Sequence, residues 1–494
     1  MIELAGRTPV YLNGAFCAGE GERFTVFNPS TEEAVATIAG ASPSQVEAMI
    51  AAARRAQISW GELSARERAR ILQGFATALG NYRADLREVL MAEAGVLGGP
   101  LPAPAGIMAF QTEAPLRHAQ EILDLYLSLP EVTDNPVPLR DRVSPMGKMV
   151  DSVMRYSPIG VVAGIASYNF PFMTAIWKVM PALVTGNAVI LRPSPLTPIS
   201  ALIFALAGED AGLPPGVLNV LVEGGVDGAR ILTTRAGVDM VAFTGSTHVG
   251  KQVMAQAAGT MKRVQLELGG KSAQIFLPDA ASEAIAQTVG ICLSHAGQGC
   301  VLGTRVFVPE AAKSEVLAGM KAALENIPIG EVTDPGAMMG PVISAAQVER
   351  CEHFVRLAIE NRATIVTGGR RPANLSRGHF FQPTVIDAPD NQNPAAREEI
   401  FGPVVTVIGY RDVDHAVAMA NDSDYGLSGY VYGADRKQAL DVAMRLKTGT
   451  VNVNGGMLSA WISSGGIKMS GIGRERGVEG IRLYQNVTAL NITG

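Results

Sequence analysis

Two helices announce themselves near the start of the chain by polar residues placed just ahead of apolar, helically spaced runs. In "SPSQVEAMIAAARRA" Ser42 stands as N-cap, Pro43 fills the first turn and Gln45 completes a capping box; in "SARERARILQGFATAL" Ser64 and Glu67 repeat the arrangement. From Pro158 the rhythm changes. "GVVAGIAS", "NAVILRP", "VLNVLVE" and "VDMVAFTG" are short continuous apolar runs of buried-strand length. Between and after them "PFMTAIWKVMPALV", "SALIFALAGEDAGL", "GARILTT" and "THVGKQVMAQAA" read as helices. The pattern resumes beyond Lys271 with the strand "SAQIFLP", a helix over 281–296 and the strand "TRVFVP". Strands alternating with helices predict βαβ units with right-handed crossovers, hence an α/β fold of two open parallel-sheet lobes with a cleft between them. Residues 131–149 break the rhythm with scattered prolines and read as an excursion, after which "KMVDSVMRYS" alternates as a strand.

Composition narrows the class. A chain of 494 residues exceeds one compact core and implies at least two domains. With 41 Lys and Arg against 46 Asp and Glu, no basic surface for nucleic acid is expected. The four cysteines (Cys17, Cys292, Cys300 and Cys351) lack CxxC spacing and histidine partners at metal-site spacing, so neither a disulfide framework nor a metal site is expected, and a reducing, cytoplasmic setting fits. No signal peptide is read at the N-terminus. The most apolar stretch, 174–191, is interrupted by Lys178, Pro181 and Gly186 and is not expected to cross a membrane.

Candidate chemistry sits at predicted strand ends, where open parallel sheets bind ligands. "TGSTHVG" places Gly245 at a bend and Ser246 as the cap of a helix whose free N–H groups suit a phosphate; a plain strand-to-helix turn is the alternative. "LRPSPLTP" puts Arg192 and Ser194 on a neighbouring strand-end loop, as cofactor contacts or as a solvated arginine on a stiff turn. In "RVQLELGGKS", alternation sends Val264, Leu266 and Leu268 to one face and Gln265 and Glu267 to the other, so Glu267 is a candidate general base or a paired turn carboxylate. In "HAGQGCVLGTRVFV", Gly297, Gly299 and Gly303 flank Cys300 and are expected to leave its sulfur approachable, as a nucleophile rather than an inert buried thiol. Asn169 in "SYNFPF" is an oxyanion donor or a turn residue.

Together "SYNFPF", "LRPSPLTP", "FTGSTHVG", "LELGGKS", "GQGC", "EEIFGPV", "VNVNG" and "GGIKMSGIGRERG" resemble the motifs of the aldehyde dehydrogenase superfamily, in that family's order and over nearly the whole chain. The resemblance implies two Rossmann-like lobes and a small β arm for oligomerisation. It assigns 1–130 and 150–267 to an NAD(P)-binding domain, 268–458 to a catalytic domain, and 131–149 with 459–494 to the arm and C-terminal segment. In this arm the excursion is expected to pair with "RLYQNVTALNIT". It further implies oxidation of an aldehyde to its acid: thiolate Cys300 attacks the carbonyl, Asn169 and the Cys300 N–H hold the oxyanion, and Glu267 activates the water that hydrolyses the thioester. Ser167, Tyr168, Lys178, Arg192, Ser194, Pro195, Gly245, Ser246, Leu268, Gly269, Glu399 and Phe401 are the implied cofactor contacts. A homodimer or homotetramer is implied, with a small aldehyde as the substrate and no nucleic acid or membrane partner.

Three departures from the family pattern bear on specificity. Tyr168 stands where tryptophan is usual. Many members carry Lys at the position of Arg192 and Glu at that of Pro195, so NAD is expected while Arg192 leaves NADP possible. "ISSGG" replaces Pro-Phe-Gly-Gly, placing Ser463 and Ser464 where an aromatic wall is common. The implied substrate contacts Phe170, Met173, Trp177, Val301, Leu458 and Ser464 are mostly apolar and none is cationic, so an apolar or aromatic aldehyde is expected, with Ser464 making extra room. The alternatives are a CoA-acylating aldehyde dehydrogenase and a cysteine-dependent ester hydrolase without redox chemistry.

Overall fold

The computed structural model describes residues 1–98, 106–456 and 458–493. Both predicted capping boxes are formed. Ser42 caps the helix Pro43–Glu62 and Ser64 caps Ala65–Asn81, each with the reciprocal bond from the third helical residue.

Two sheets carry the molecule. The first has eight strands in the order Gly471–Ile472, Arg263–Glu267, Met240–Thr244, Val161–Ile165, Ala188–Arg192, Leu218–Val220, Val10–Leu12 and Ala15–Cys17. Its five central strands are parallel, as the alternation with helices requires; the added edge strands run antiparallel. The second has seven strands in the order Thr364–Thr367, Thr384–Asp387, Val404–Tyr410, Arg305–Pro309, Ala273–Phe276, Ser428–Tyr432 and Thr450–Val453, all parallel except the first pair. Strand runs such as Val161–Ile165 and Ala188–Arg192 are buried at every position because helices cover both faces. The helix predicted over 281–296 is Glu283–Leu293, followed by a separate 3-10 turn at His295–Gly297.

A third sheet corrects one expectation. The C-terminal strand Gln485–Thr493 pairs antiparallel along its whole length with Val150–Pro158 and not with the excursion, of which only Val132–Asp134 joins, on the other edge of Val150–Pro158. The excursion is too broken by proline to present a continuous ladder of donors. The strand Val150–Pro158 thus lies in the middle of this three-stranded sheet.

The edge pairing of Gly471–Ile472 matters most for the site. Glu267 lies opposite Thr244 on one side and Gly471 on the other, which brings "GIGRERG" beside it. Gly471 has φ 134°, and a side chain there would meet the Leu266 carbonyl oxygen at 1.8 Å, so only glycine allows this close approach.

Candidate active site

Cys300 is half-buried on the loop after His295–Gly297. His295, Ala296 and Gly297 have φ of 51°, 51° and 74°, a run of left-handed backbone that throws the chain out of the preceding helix. The flanking glycines do a different job from the one expected. A side chain at Gly297 would come within 2.1 Å of the Gly402 carbonyl oxygen, one at Gly299 within 2.9 Å of Leu302, and one at Gly303 within 2.2 Å of Gln274. They let the loop pack; they do not merely bare the sulfur. Gln298, fully buried, anchors this loop by accepting from the Ile343 N–H at 2.9 Å and donating to the His295 carbonyl at 3.0 Å.

Asn169 is tied to that same loop. Its side-chain Nδ2 donates to the Gln298 carbonyl at 2.8 Å, its Oδ1 accepts from Ser167 Oγ at 2.8 Å, and Gln111 Nε2 donates to its backbone carbonyl at 3.1 Å. The amide is thereby oriented toward the cysteine loop with one Nδ2 hydrogen unspent.

Glu267 is 8 % exposed and its Oε1 has no partner. Burial, reinforced by the Glu475 carboxylate and opposed by Lys178, raises its pKa to about 8. Alternation does set Gln265 and Glu267 on one face, but that face is buried against Glu475, to which Gln265 Nε2 donates at 3.4 Å. Lys178, wholly buried, donates to Glu475 Oε1 at 3.0 Å and to Thr244 Oγ1 at 2.6 Å. Around Cys300, burial and then Glu399, Glu267 and Glu475 push the thiol up to about 12. The resting sulfur is therefore a thiol, and a base must remove its proton.

Of the implied cofactor contacts, Ser167, Tyr168, Arg192, Ser194, Pro195, Gly245, Ser246, Leu268 and Gly269 stand at or just beyond the carboxyl ends of strands of the first sheet. Ser246 caps the helix Thr247–Ala258 by accepting from the Val249 N–H at 3.3 Å. A side chain at Gly245 would strike Phe243 at 2.4 Å, and one at Gly250 would strike Leu268 at 2.4 Å, so this turn and helix start pack only with glycine at both positions. Across the cleft Glu399 accepts from the Gly270 N–H at 2.8 Å and lies against Gly269, where a side chain would meet its Oε2 at 2.2 Å. Burial raises the Glu399 carboxyl to about 7, with the Gly270 N–H opposing. Phe401 meets Tyr168 edge-on at 5.9 Å. The end of a capped helix, a polar strand-end loop at Ser194–Pro195 and a carboxylate across the cleft make a donor and acceptor set that fits a dinucleotide.

Two expectations about specificity change. Arg192 is not a free phosphate ligand: its Nε donates to the buried Glu223 carboxylate at 3.0 Å and its Nη2 donates to the carbonyl of the exposed Gly225 at 2.6 Å. Glu223 also accepts from the Gly228 and Ala229 N–H groups. The expected substrate wall, in turn, is not free of cations. Phe170, Met173, Trp177, Leu458 and Ser464 are buried or half-buried and Val301 is 44 % exposed, but Arg476 lies over the Trp177 ring at 4.9 Å and donates to Ser464 Oγ at 3.2 Å. The room expected beside Ser464 is taken by that guanidinium. Glu475, Arg476 and Glu223 were missed because no spacing rule marks them; only the pairing of Ser464 with Glu475 and of Glu267 with Gly471 carries "GRERG" to the site.

Among the described residues no group of His, Cys, Asp and Glu is placed to hold a metal ion, and no helix is long and apolar enough to cross a membrane.

The profile of the aldehyde dehydrogenase family matches residues 16–490. Geranial dehydrogenase of Castellaniella defragrans is 36 % identical over 489 residues, 98 % of each chain. Among solved structures, betaine aldehyde dehydrogenase of Staphylococcus aureus in complex with NAD+ superposes with a TM-score of 0.91 at 32 % identity, covering 99 % of this chain and 96 % of that one. A cysteine-to-alanine variant of aldehyde dehydrogenase C from Pseudomonas syringae, with NAD+ and octanal, gives 0.90 at 34 % identity, covering 98 % and 96 %. The chain belongs to the aldehyde dehydrogenase family. It is an oxidoreductase of the aldehyde group.

Proposed function

We propose that this enzyme oxidises an aldehyde with an apolar or aromatic body to the carboxylic acid, with NAD as acceptor and Cys300 as nucleophile. The observation that carries the reading is the convergence of Cys300, Asn169 and an unpartnered Glu267 carboxylate oxygen on one cleft. Glu267, ionised near pH 8, takes the Cys300 proton; the thiolate adds to the aldehyde carbon. The oxyanion so formed is held by the unspent Asn169 Nδ2 hydrogen and the Cys300 N–H, each such donor being worth about 3 kcal/mol. NAD, when bound, supplies the acceptor for the hydride that takes the adduct to the acyl level. Glu267, its first proton passed to solvent, then draws a proton from water; the water oxygen adds to the thioester carbon, the C–S bond breaks, and the acid leaves while the Cys300 sulfur takes the proton back from Glu267. Burial and the Glu475 carboxylate keep the base raised, and Lys178, paired with Glu475, limits that rise.

Ser246 with the helix start behind it would hold the diphosphate, and Glu399 the nicotinamide-side ribose. Pairing of Arg192 with Glu223 leaves a carboxylate beside the guanidinium, which favours NAD over a 2′-phosphorylated cofactor. Octanal in the Pseudomonas syringae relative supports an apolar substrate body. Assembly through the arm into a homodimer or homotetramer is part of the same reading.

The test is formation of reduced nicotinamide by purified protein with NAD and NADP separately. Turnover with NAD that vanishes in Cys300→Ala is expected. Full turnover by that variant would reject the mechanism, and an equal or better kcat/KM with NADP would reject the reading of Arg192.

A further inference from the structure

Two arginines flank Glu475, and they spend their donors differently. Arg474 is consumed by the fold: Nε donates to Ser463 Oγ at 3.0 Å, Nη1 to the carbonyls of Gly449 and Gly465 at 3.1 and 2.9 Å, and Nη2 to the Ser463 carbonyl at 3.2 Å. Every nitrogen has an acceptor. Arg476 donates only from Nε to Ser464 Oγ and from Nη1 to the Ser459 carbonyl at 3.0 Å. Its Nη2 has no acceptor among the described residues and is not sealed from solvent. No carboxylate among the described residues lies within ion-pair distance of it, although the side chain is half-buried.

The position of this guanidinium is built. Trp177 supports it from below at 4.9 Å, and Trp177 is itself held by donating Nε1 to His118 Nδ1 at 2.9 Å, with the two rings stacked. Arg476 adopts φ 61°, a left-handed value costly for any residue with a side chain, and the next residue, Gly477, has φ 62°. A side chain at Gly477 would come within 2.7 Å of the Ser463 N, so the turn is locked against the two serines. Ser464 and Trp177 are both positions assigned to the substrate wall, so the Arg476 guanidinium borders that wall.

A half-buried guanidinium with free, coplanar N–H groups and no carboxylate partner is a receptor for one. We propose that Arg476 anchors an anionic oxygen pair, a carboxylate or its equivalent, at the end of the substrate remote from the aldehyde. The preferred substrate then has an apolar or aromatic body against Trp177 and Phe170 and a negatively charged tail on Arg476. This rests on the reading of Cys300 given above and sharpens its substrate class.

The experiment compares aldehydes matched in body: 4-carboxybenzaldehyde against 4-methylbenzaldehyde, and adipic semialdehyde against hexanal, with the full-length protein and NAD. The wild type should favour the carboxylate member of at least one pair in kcat/KM by about tenfold or more, the size of one charge-assisted bidentate contact. Arg476→Met should lower kcat/KM for the carboxylate member about tenfold more than for its neutral match, mainly through KM, and so erase that ratio. Arg476→Lys should restore part of it. A wild type that prefers the neutral member of both pairs, or an Arg476→Met variant that loses both members equally, would overturn the proposal; the second result would make Arg476 a counter-charge for Glu475 and Glu267. Calorimetric binding of 4-methylbenzoate and terephthalate needs no chemistry and separates the two levels. Terephthalate binding lost only in Arg476→Met, with no turnover of any aldehyde, would reject the role of Cys300 and sustain the anion anchor. Equal binding by wild type and variant, alongside Cys300-dependent turnover, would do the reverse.

Discussion

At the scale of single residues the site works through two raised acids. Burial and neighbouring carboxylates raise the Cys300 thiol to about 12 and the Glu267 carboxyl to about 8, and in the proposed mechanism it is the ionisation of Glu267 that sets the rate. In steady state, kcat should rise with pH through about 8. Glu267→Gln should flatten that rise and lower kcat by about 10²–10⁴-fold. If Glu267 acts chiefly in hydrolysis, the variant should retain a burst of reduced nicotinamide in rapid-mixing experiments, with slow turnover following. The same group links pH to stability. Its folded pKa lies above the ordinary value of 4.5, so the native state holds a proton that the unfolded chain has lost between those values. The contribution of Glu267 to stability therefore falls as pH rises from about 4.5 to about 8, and chemical denaturation of Glu267→Gln should show a shallower fall across that window.

At the scale of elements the cysteine loop depends on close backbone contact. Gly297 combines a φ of 74° with a gap to Gly402 that admits no side chain. Gly297→Ala should therefore shift the loop, at a cost of about 1–3 kcal/mol. The expected readout is loss of aldehyde turnover and a changed alkylation rate at Cys300, with the far-ultraviolet circular dichroism of the sheets intact. Capped helices and the strands between Val161 and Phe276 were legible from sequence because their signals are local: a cap, a period, a run of apolar side chains. The pairing of the C-terminal strand was not. Gln485–Thr493 and Val150–Pro158 are far apart in the chain, and alternation in either strand is compatible with several partners.

At the scale of the whole molecule the three-stranded arm stands out. Val487, Leu490 and Ile492 are exposed along Gln485–Thr493, which is an edge strand with its outer backbone groups unpaired within the sheet. Long apolar edges of this kind recruit further strands. We expect a second copy of this chain to pair there. Light scattering after size exclusion should report a dimer or tetramer for the wild type and a smaller species for Val487→Lys with Ile492→Lys. An unchanged mass would place the contact elsewhere.

What the sequence determined by itself was the kind of molecule: apolar strands alternating with helices compel parallel sheets, and ordered motifs mark Cys300, Glu267 and Asn169 as the candidate chemistry. What only the tertiary structure decided is how that chemistry is tuned. Glu475 and Arg476 reach Glu267 and Trp177 through two short antiparallel contacts, Gly471 with Leu266–Glu267 and Glu475 with Ser464. Arg192 loses its freedom to Glu223, thirty-one positions away along the chain. Burial and the approach of like charges set the pKa values, and both are properties of the packed chain, not of any stretch read alone.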